Sequence, residues 1–235
     1  MIAGPNGSGK STLTEWVDFE GRVLLLDPDA IARAMSPSDP RGAAIPAGRE
    51  VLRRIDAYLE SGDSFAVETT LSSHASLGLI GRARSRGYEI HLTFVALDSP
   101  EQCIARIGIR ALRGGHSIPD VDVRRRYFRS IANLAEAVRA ADVAKLYDNS
   151  GDEHRLVLAV RSGVVISLSD DLPLWIREVS EDLRARCLPA LSSPTALLNT
   201  VWRPRHRHLS DMPTIRPIEP AIGKMAGPGP VRIFT

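Results

Sequence analysis

Nine residues near the start of the chain, Gly4, Pro5, Asn6, Gly7, Ser8, Gly9, Lys10, Ser11 and Thr12, fit the spacing G-x-x-x-x-G-K-[ST]. The residue types explain what such a stretch can do. Glycines let the backbone curl so that successive N–H groups converge on phosphate oxygens, and the lysine adds positive charge at the β- and γ-phosphates. Ser11 supplies a hydroxyl suited to Mg²⁺, and a helix starting here would add the positive end of its dipole. These nine residues are the candidate nucleotide-binding segment, a P-loop. Lys10 is also a candidate catalytic residue and Ser11 the candidate metal ligand, and ATP and Mg²⁺ are the implied cofactors. Lys10, Lys145 and Lys224 are the only lysines in 235 residues; every other cationic residue besides histidine is arginine. That bias adds weight to the lysine in this loop and removes some from the arginine clusters elsewhere.

Other polar groups follow apolar runs. Val23 to Leu26 leads into Asp27-Pro28-Asp29. Asp29 is the candidate general base, taking a proton from a substrate hydroxyl, and it also suits a helix N-cap. Asp27 stays open as a competitor, because an apolar strand ending in aspartate is also the pattern of a magnesium-associated carboxylate. Ser64 to Val67 leads into Glu68-Thr69-Thr70, three groups that could hold a hydroxylated substrate. Arg106, Arg110 and Arg113 share one face at helical spacing, and Arg124, Arg125, Arg126 and Arg129 follow after Gly114-Gly115. Two arginine-bearing helices joined by a glycine-rich loop would form a lid over phosphates, where the planar guanidinium pairs with two oxygens. Arg110 and Arg126 are the candidate charge-stabilising residues. No metal-ligand spacing such as H-E-x-x-H or C-x-x-C is present.

These groups need a scaffold. Strand-like and helix-like segments alternate, so the fold class is α/β, a P-loop kinase-like parallel sheet flanked by helices. An Arg-rich helical lid and a small C-terminal hairpin, Arg155–Val160 and Val164–Leu168, complete it. In such sheets ligands sit at the carboxyl ends of strands, which would gather the P-loop, Asp27 and Asp29, Glu68 to Thr70, and Asp148-Asn149 into one cleft. Met1 to Ala3 leaves little strand before the loop. Helices are expected at Gly9–Phe19, Ala30–Met35 capped by Asp29, Glu50–Leu59, from Ser73 to Arg86, from Ser99 to Arg113, from Asp120 to Ala141, and at Leu174–Cys187. The expected organisation is a domain over 1–188 and a proline- and arginine-rich tail without regular structure over 189–235.

Composition narrows the setting. Hydrophobic content and charge are ordinary for a soluble protein, and a net charge of +2 says little about partners. Two cysteines make no disulfide framework, and no apolar run approaches about 18 residues. A cytoplasmic protein with no membrane association is expected. The P-loop alone is shared with transporter-type ATPases, but the Leu-Ser-Gly-Gly-Gln-like loop and the strand ending Asp-Glu of that class are missing. A polynucleotide kinase or nucleic-acid binder would use the cluster at 203–208; a solvated linker is the simpler reading, and no nucleic-acid partner is expected.

The ordered set of motifs resembles the zeta-toxin family of small P-loop kinases, in its short bacterial branch. The resemblance rests on the P-loop, Pro28-Asp29-Ala30-Ile31-Ala32, Val67-Glu68-Thr69-Thr70-Leu71-Ser72, Gly114 to Pro119, Arg125-Arg126-Tyr127 and Tyr147-Asp148-Asn149-Ser150, and covers Met1 to about Cys187. It implies an ATP-dependent kinase acting on a small-molecule hydroxyl, that of a sugar nucleotide such as UDP-N-acetylglucosamine, and an antitoxin protein as partner. It also implies that Lys10 and Ser11 hold phosphate and Mg²⁺, that Asp29 is the base and that Glu68 contacts the substrate. The family's better-known toxins carry an arginine three residues after the base; here Ala32 stands there, with Arg33 beside it.

Overall fold

The computed structural model describes residues 1–16, 24–115, 117–187 and 232–234. The chain runs β1 (Ile2–Ala3), α1 (Lys10–Trp16), β2 (Leu25–Leu26), α2 (Pro28–Met35), α3 (Ala44–Ser61), β3 (Ala66–Thr69), α4 (His74–Ser85) and β4 (Tyr88–Ala96). It continues through α5 (Pro100–Leu112), α6 (Asp120–Ala140), β5 (Val143–Asp148), β6 (Arg155–Arg161), β7 (Val164–Leu168), α7 (Leu174–Cys187) and β8 (Arg232–Phe234). The sheet order is β2-β3-β1-β4-β5-β6-β7, with β8 also on β4. β2 through β5 and β1 pair in parallel, and β6 and β7 add antiparallel. The α/β class, the helix-flanked parallel sheet and the C-terminal hairpin are therefore as expected. Ser162 and Gly163 turn that hairpin with φ of 49° and 78°, the pair of left-handed residues that matches strand twist.

The parallel strands are buried because helices cover them. Val51, Ile55 and Leu59 of α3, Leu79 and Ile80 of α4, Leu134 and Val138 of α6, and Trp175 and Ile176 of α7 share one core with strand residues such as Leu26, Phe94 and Leu146. A second cluster, Leu97, Cys103, Ile107, Val123 and Tyr127, joins α5 to α6 beside the carboxyl end of β4. There the Tyr127 hydroxyl donates to the Leu97 carbonyl at 2.7 Å, which fixes α6 against the strand end.

Several boundaries differ from expectation for local reasons. Asp27, not Asp29, caps α2: its side chain accepts from the Asp29 N–H at 2.9 Å, and Pro28 takes the first helical position. Proline favours that position because the missing N–H has no helical partner there, which makes the preceding residue the cap. Helix α3 begins at Ala44 rather than Glu50, since Pro46 falls within its first turn and costs no hydrogen bond. Glu68 and Thr69 are the last residues of β3 rather than residues beyond it. The expected continuation of the first helix and the start of the second strand, 17–23, lie outside the described residues, as do His116 and most of the tail. At 232–234, where no regular structure was expected, a strand is present.

β8 has a particular lane. Ile90 directs both its N–H and its carbonyl to Asp142 on the β5 side. Its neighbour His91 accepts from the Met1 amine on the β1 side. Backbone groups alternate along a strand, so Glu89, which lies opposite Ile233, faces the β1 side as well. β8 therefore lies in the β1 lane, behind the two-residue strand that carries the P-loop.

Candidate functional site

The P-loop joins β1 to α1 at the carboxyl edge of the sheet. Gly4 adopts a φ of 141°, and a Cβ there would stand 2.0 Å from the Val95 carbonyl oxygen of β4. That neighbour is backbone and cannot swing away. Gly4→Ala is expected to lower the unfolding free energy by at least about 2 kcal/mol, measured by urea denaturation; a loss under a few tenths would show that the loop does not press on β4.

Three side chains from distant segments hold the loop. The Asn149 side-chain amide donates to the Ser8 carbonyl at 2.8 Å, and the His154 ring lies 3.1 Å from the Gly9 carbonyl. Arg126 donates to the Asn6 side-chain oxygen at 3.3 Å. Arg106 of α5 donates to the Asn149 carbonyl at 2.7 Å, so the helix of the expected lid is tied to the same anchor.

Lys10 is only 7% exposed and its ammonium donates to the Gly4 and Pro5 carbonyls, each at 3.0 Å. Glu68 lies 3.9 Å away and accepts from the Ser11 hydroxyl at 3.4 Å. Burial pushes the Lys10 ammonium below its ordinary range, with Glu68 and Asp29 opposing, and burial pushes the Glu68 carboxyl up, with Lys10 opposing. Each group moves toward its neutral form. Desolvation thus outweighs the attraction between them.

A cavity of about 1350 Å³ opens over this arrangement. Asn6, Gly7, Gly9, Lys10, Ser11 and Thr12 line it, while Gly4, Pro5 and Ser8 are buried. Asp27, Asp29 and Arg33 enter from α2 and its cap, Glu68, Thr69 and Thr70 from the end of β3, and Arg106, Arg110 and Arg126 from α5 and α6. The candidate catalytic and substrate-contact residues outside the loop thereby line one cavity together with Asn149; Asp148, expected beside them, instead is buried against Trp175 and Arg155. Of the other arginines, Arg124 pairs with Glu101 and Arg125 with Asp122, away from it. The two threonine hydroxyls are engaged: Thr69 with Ser76 and the Leu71 N–H, Thr70 with Ser72. They hold the turn in which Leu71 takes a φ of 54°.

Sequence reasoning did not find His154, and it placed Asn149 in the cleft without its role as anchor. The polar run Asp148-Asn149-Ser150 after an apolar strand was a signal for Asn149; nothing in the local pattern marks His154.

A buried ammonium beneath a cavity, with four arginines lining it, fits a triphosphate. The Ser11 hydroxyl beside a carboxylate fits a hydrated Mg²⁺, which keeps several waters and needs few protein ligands. Among the described residues no three His, Cys, Asp or Glu groups form a metal cage.

Fold and loop together define a P-loop nucleotide-binding domain. A family model described as an AAA domain matches residues 1–134, and the chain belongs to that family. It is 34% identical over 127 residues to an uncharacterized protein of Haemophilus influenzae, a match covering 54% of this chain and 90% of the other. Among solved structures it is similar to a chain of the AvrRxo1-ORF1:ORF2 structure with ATP, with a TM-score of 0.55 and 17% identity, over 77% of this chain. This chain spans 62% of that one, less than two thirds of its length. A structure from the PezAT chromosomal toxin–antitoxin system of Streptococcus pneumoniae matches at a TM-score of 0.48 and 15% identity, over 81% of this chain and 85% of that one. The likeness to the AvrRxo1 structure shows the fold alone. Among the described residues no helix is long and apolar enough to cross a membrane.

Proposed function

We propose that this protein is an ATP-dependent kinase that transfers the γ-phosphoryl group to a hydroxyl of a small molecule. One observation carries the reading: Asp29 and Lys10 open onto the same cavity, from strands two lanes apart. Backbone N–H groups of the P-loop and Lys10 bind the β- and γ-phosphates. Asp29 accepts the proton of the attacking hydroxyl. The oxygen–phosphorus bond to the acceptor forms, the bond from γ-phosphorus to the bridging oxygen breaks, and ADP leaves with that electron pair. Arg110 and Arg126 line the same cavity and would balance the charge that shifts onto the leaving oxygen. Mg²⁺, when bound, neutralises phosphate oxygens, and Ser11 would hold it.

The resemblance to zeta toxins supports a sugar nucleotide, such as UDP-N-acetylglucosamine, as acceptor and an antitoxin as protein partner. The AvrRxo1 complex, whose crystals contained ATP, supports ATP as the donor on grounds of fold. The reading is tested by incubating the protein with γ-labelled ATP and a panel of sugar nucleotides and simple sugars, then separating the products by chromatography. Label is expected on one acceptor, in a form that phosphatase removes. Label released only as inorganic phosphate, at a rate no acceptor changes, would show an ATPase instead.

A further inference from the structure

We infer that the strand carrying the P-loop is assembled from two separate stretches of this chain, β8 followed by β1, and that Arg232–Phe234 is a positioning element of the nucleotide site. The inference rests on nucleotide binding at the P-loop, as proposed above, and on no particular acceptor.

The register carries it. Along β4, Tyr88, Glu89 and Ile90 lie opposite Arg232, Ile233 and Phe234, and Thr93 and Phe94 lie opposite Ile2 and Ala3, all in parallel. Met1 takes the place opposite Leu92, because its amine donates to the His91 carbonyl and its carbonyl accepts from the Thr93 N–H. Those are the two bonds that a parallel neighbour makes at that place. A single position, opposite His91, separates Phe234 from Met1, and Thr235 follows Phe234 in the sequence. The two stretches thus share lane, direction and spacing. Only their order in the chain is reversed, with the later stretch coming first along the strand.

The site gives β8 a reason to be there. β1 lies between β3 and β4 in the middle of the sheet, yet it is two residues long, against about 5–6 for an ordinary strand. Gly4 follows it at once and stands against the Val95 carbonyl, so any fraying of β1 reaches the P-loop within one residue. Backbone groups enclosed in a sheet are costly to leave unpaired, and β8 meets those of Glu89 on this side. With the lane filled behind it, β1 holds the loop in place before nucleotide arrives. With the lane vacated, part of that ordering would fall to the ligand, at a cost in affinity.

Two further chains, each of full length, test this beside the unsubstituted protein. In the first, Ile233→Pro and Phe234→Pro together remove two backbone N–H groups and with them the pairing of β8. In the second, residues 231–235 are moved to precede Met1, so that the chain opens Val-Arg-Ile-Phe-Thr-Met-Ile-Ala-Gly. Binding of β,γ-imido ATP with Mg²⁺ is titrated calorimetrically well below the lowest unfolding midpoint, where every chain compared is folded. Affinity is expected to fall about tenfold in the proline chain, since the loop must then be ordered on binding. In the moved chain it is expected to stay within about twofold of the unsubstituted value or to exceed it, since the register runs from β8 into β1 without a slip. Unchanged affinity in the proline chain would overturn the inference, even with a lowered midpoint, because β8 would then stabilise the sheet without positioning the loop. A loss in the moved chain as large as that from the prolines would overturn it too. Both results leave the kinase reading standing. Should the proline chain fail to fold, the moved chain decides by itself. Failure of the unsubstituted protein to bind the nucleotide at all would overturn the kinase reading, and the inference with it.

Discussion

Asp29→Asn is expected to lower kcat by about 10²–10⁴-fold, the usual worth of a positioned general base, while nucleotide affinity stays within about threefold. The structure makes this substitution unusually clean. Asp29 is exposed in the cavity. The capping of α2 belongs to Asp27, which bonds to the Asp29 backbone N–H and not to its side chain. The amide therefore removes a proton acceptor without removing a helix cap. Phosphorylation of the acceptor under saturating ATP is the measurement, with thermal unfolding as the control. Undiminished turnover in this variant would remove Asp29 from the mechanism.

Lys10→Met is expected to cost more, on the order of 10³-fold or greater in kcat/KM for ATP, because the charge it removes faces both bound and transferring phosphate. Two effects combine here. The buried ammonium is pre-placed by the Gly4 and Pro5 carbonyls, so little reorganisation is needed when phosphate arrives. Its removal also leaves the largely enclosed Glu68 carboxylate beside methylenes, which is itself costly. The two are separated by adding Glu68→Gln to Lys10→Met. The double variant is expected to regain thermal stability and to regain no activity. Recovery of activity in the double variant would mean that the single substitution acted through folding.

Much of the site was legible before any coordinates, for a physical reason. Phosphate binding needs a run of consecutive backbone N–H groups, so its signature is contiguous and local, from Gly4 to Thr12. The polar residues at strand ends were readable too, since an apolar run must stop where the strand leaves the core. Glu68 and Asp148 both stand at such stops. The rest depends on lanes and on long contacts. Strand order decides that Glu68, and not Asp27, neighbours the P-loop, and no periodicity encodes strand order. The cap of α2 was misassigned because two aspartates flank Pro28, and the choice between them follows from the ring's missing N–H. Arg106 could be placed on a helix face, but its partner, the Asn149 carbonyl, lies 43 residues away.

The anchoring of the P-loop bears on how the protein comes into being. The glycine hairpin is complete within the first dozen residues, and the family match ends at residue 134. Yet the Ser8 and Gly9 carbonyls are moored by side chains 141 and 145 positions downstream. A nascent chain on the ribosome thus carries the hairpin long before its moorings exist. Only when β5 has docked alongside β4 can Asn149 and His154 seize those carbonyls. The competence to grip nucleotide then waits for those two residues, and comes in one step with the closing of the sheet.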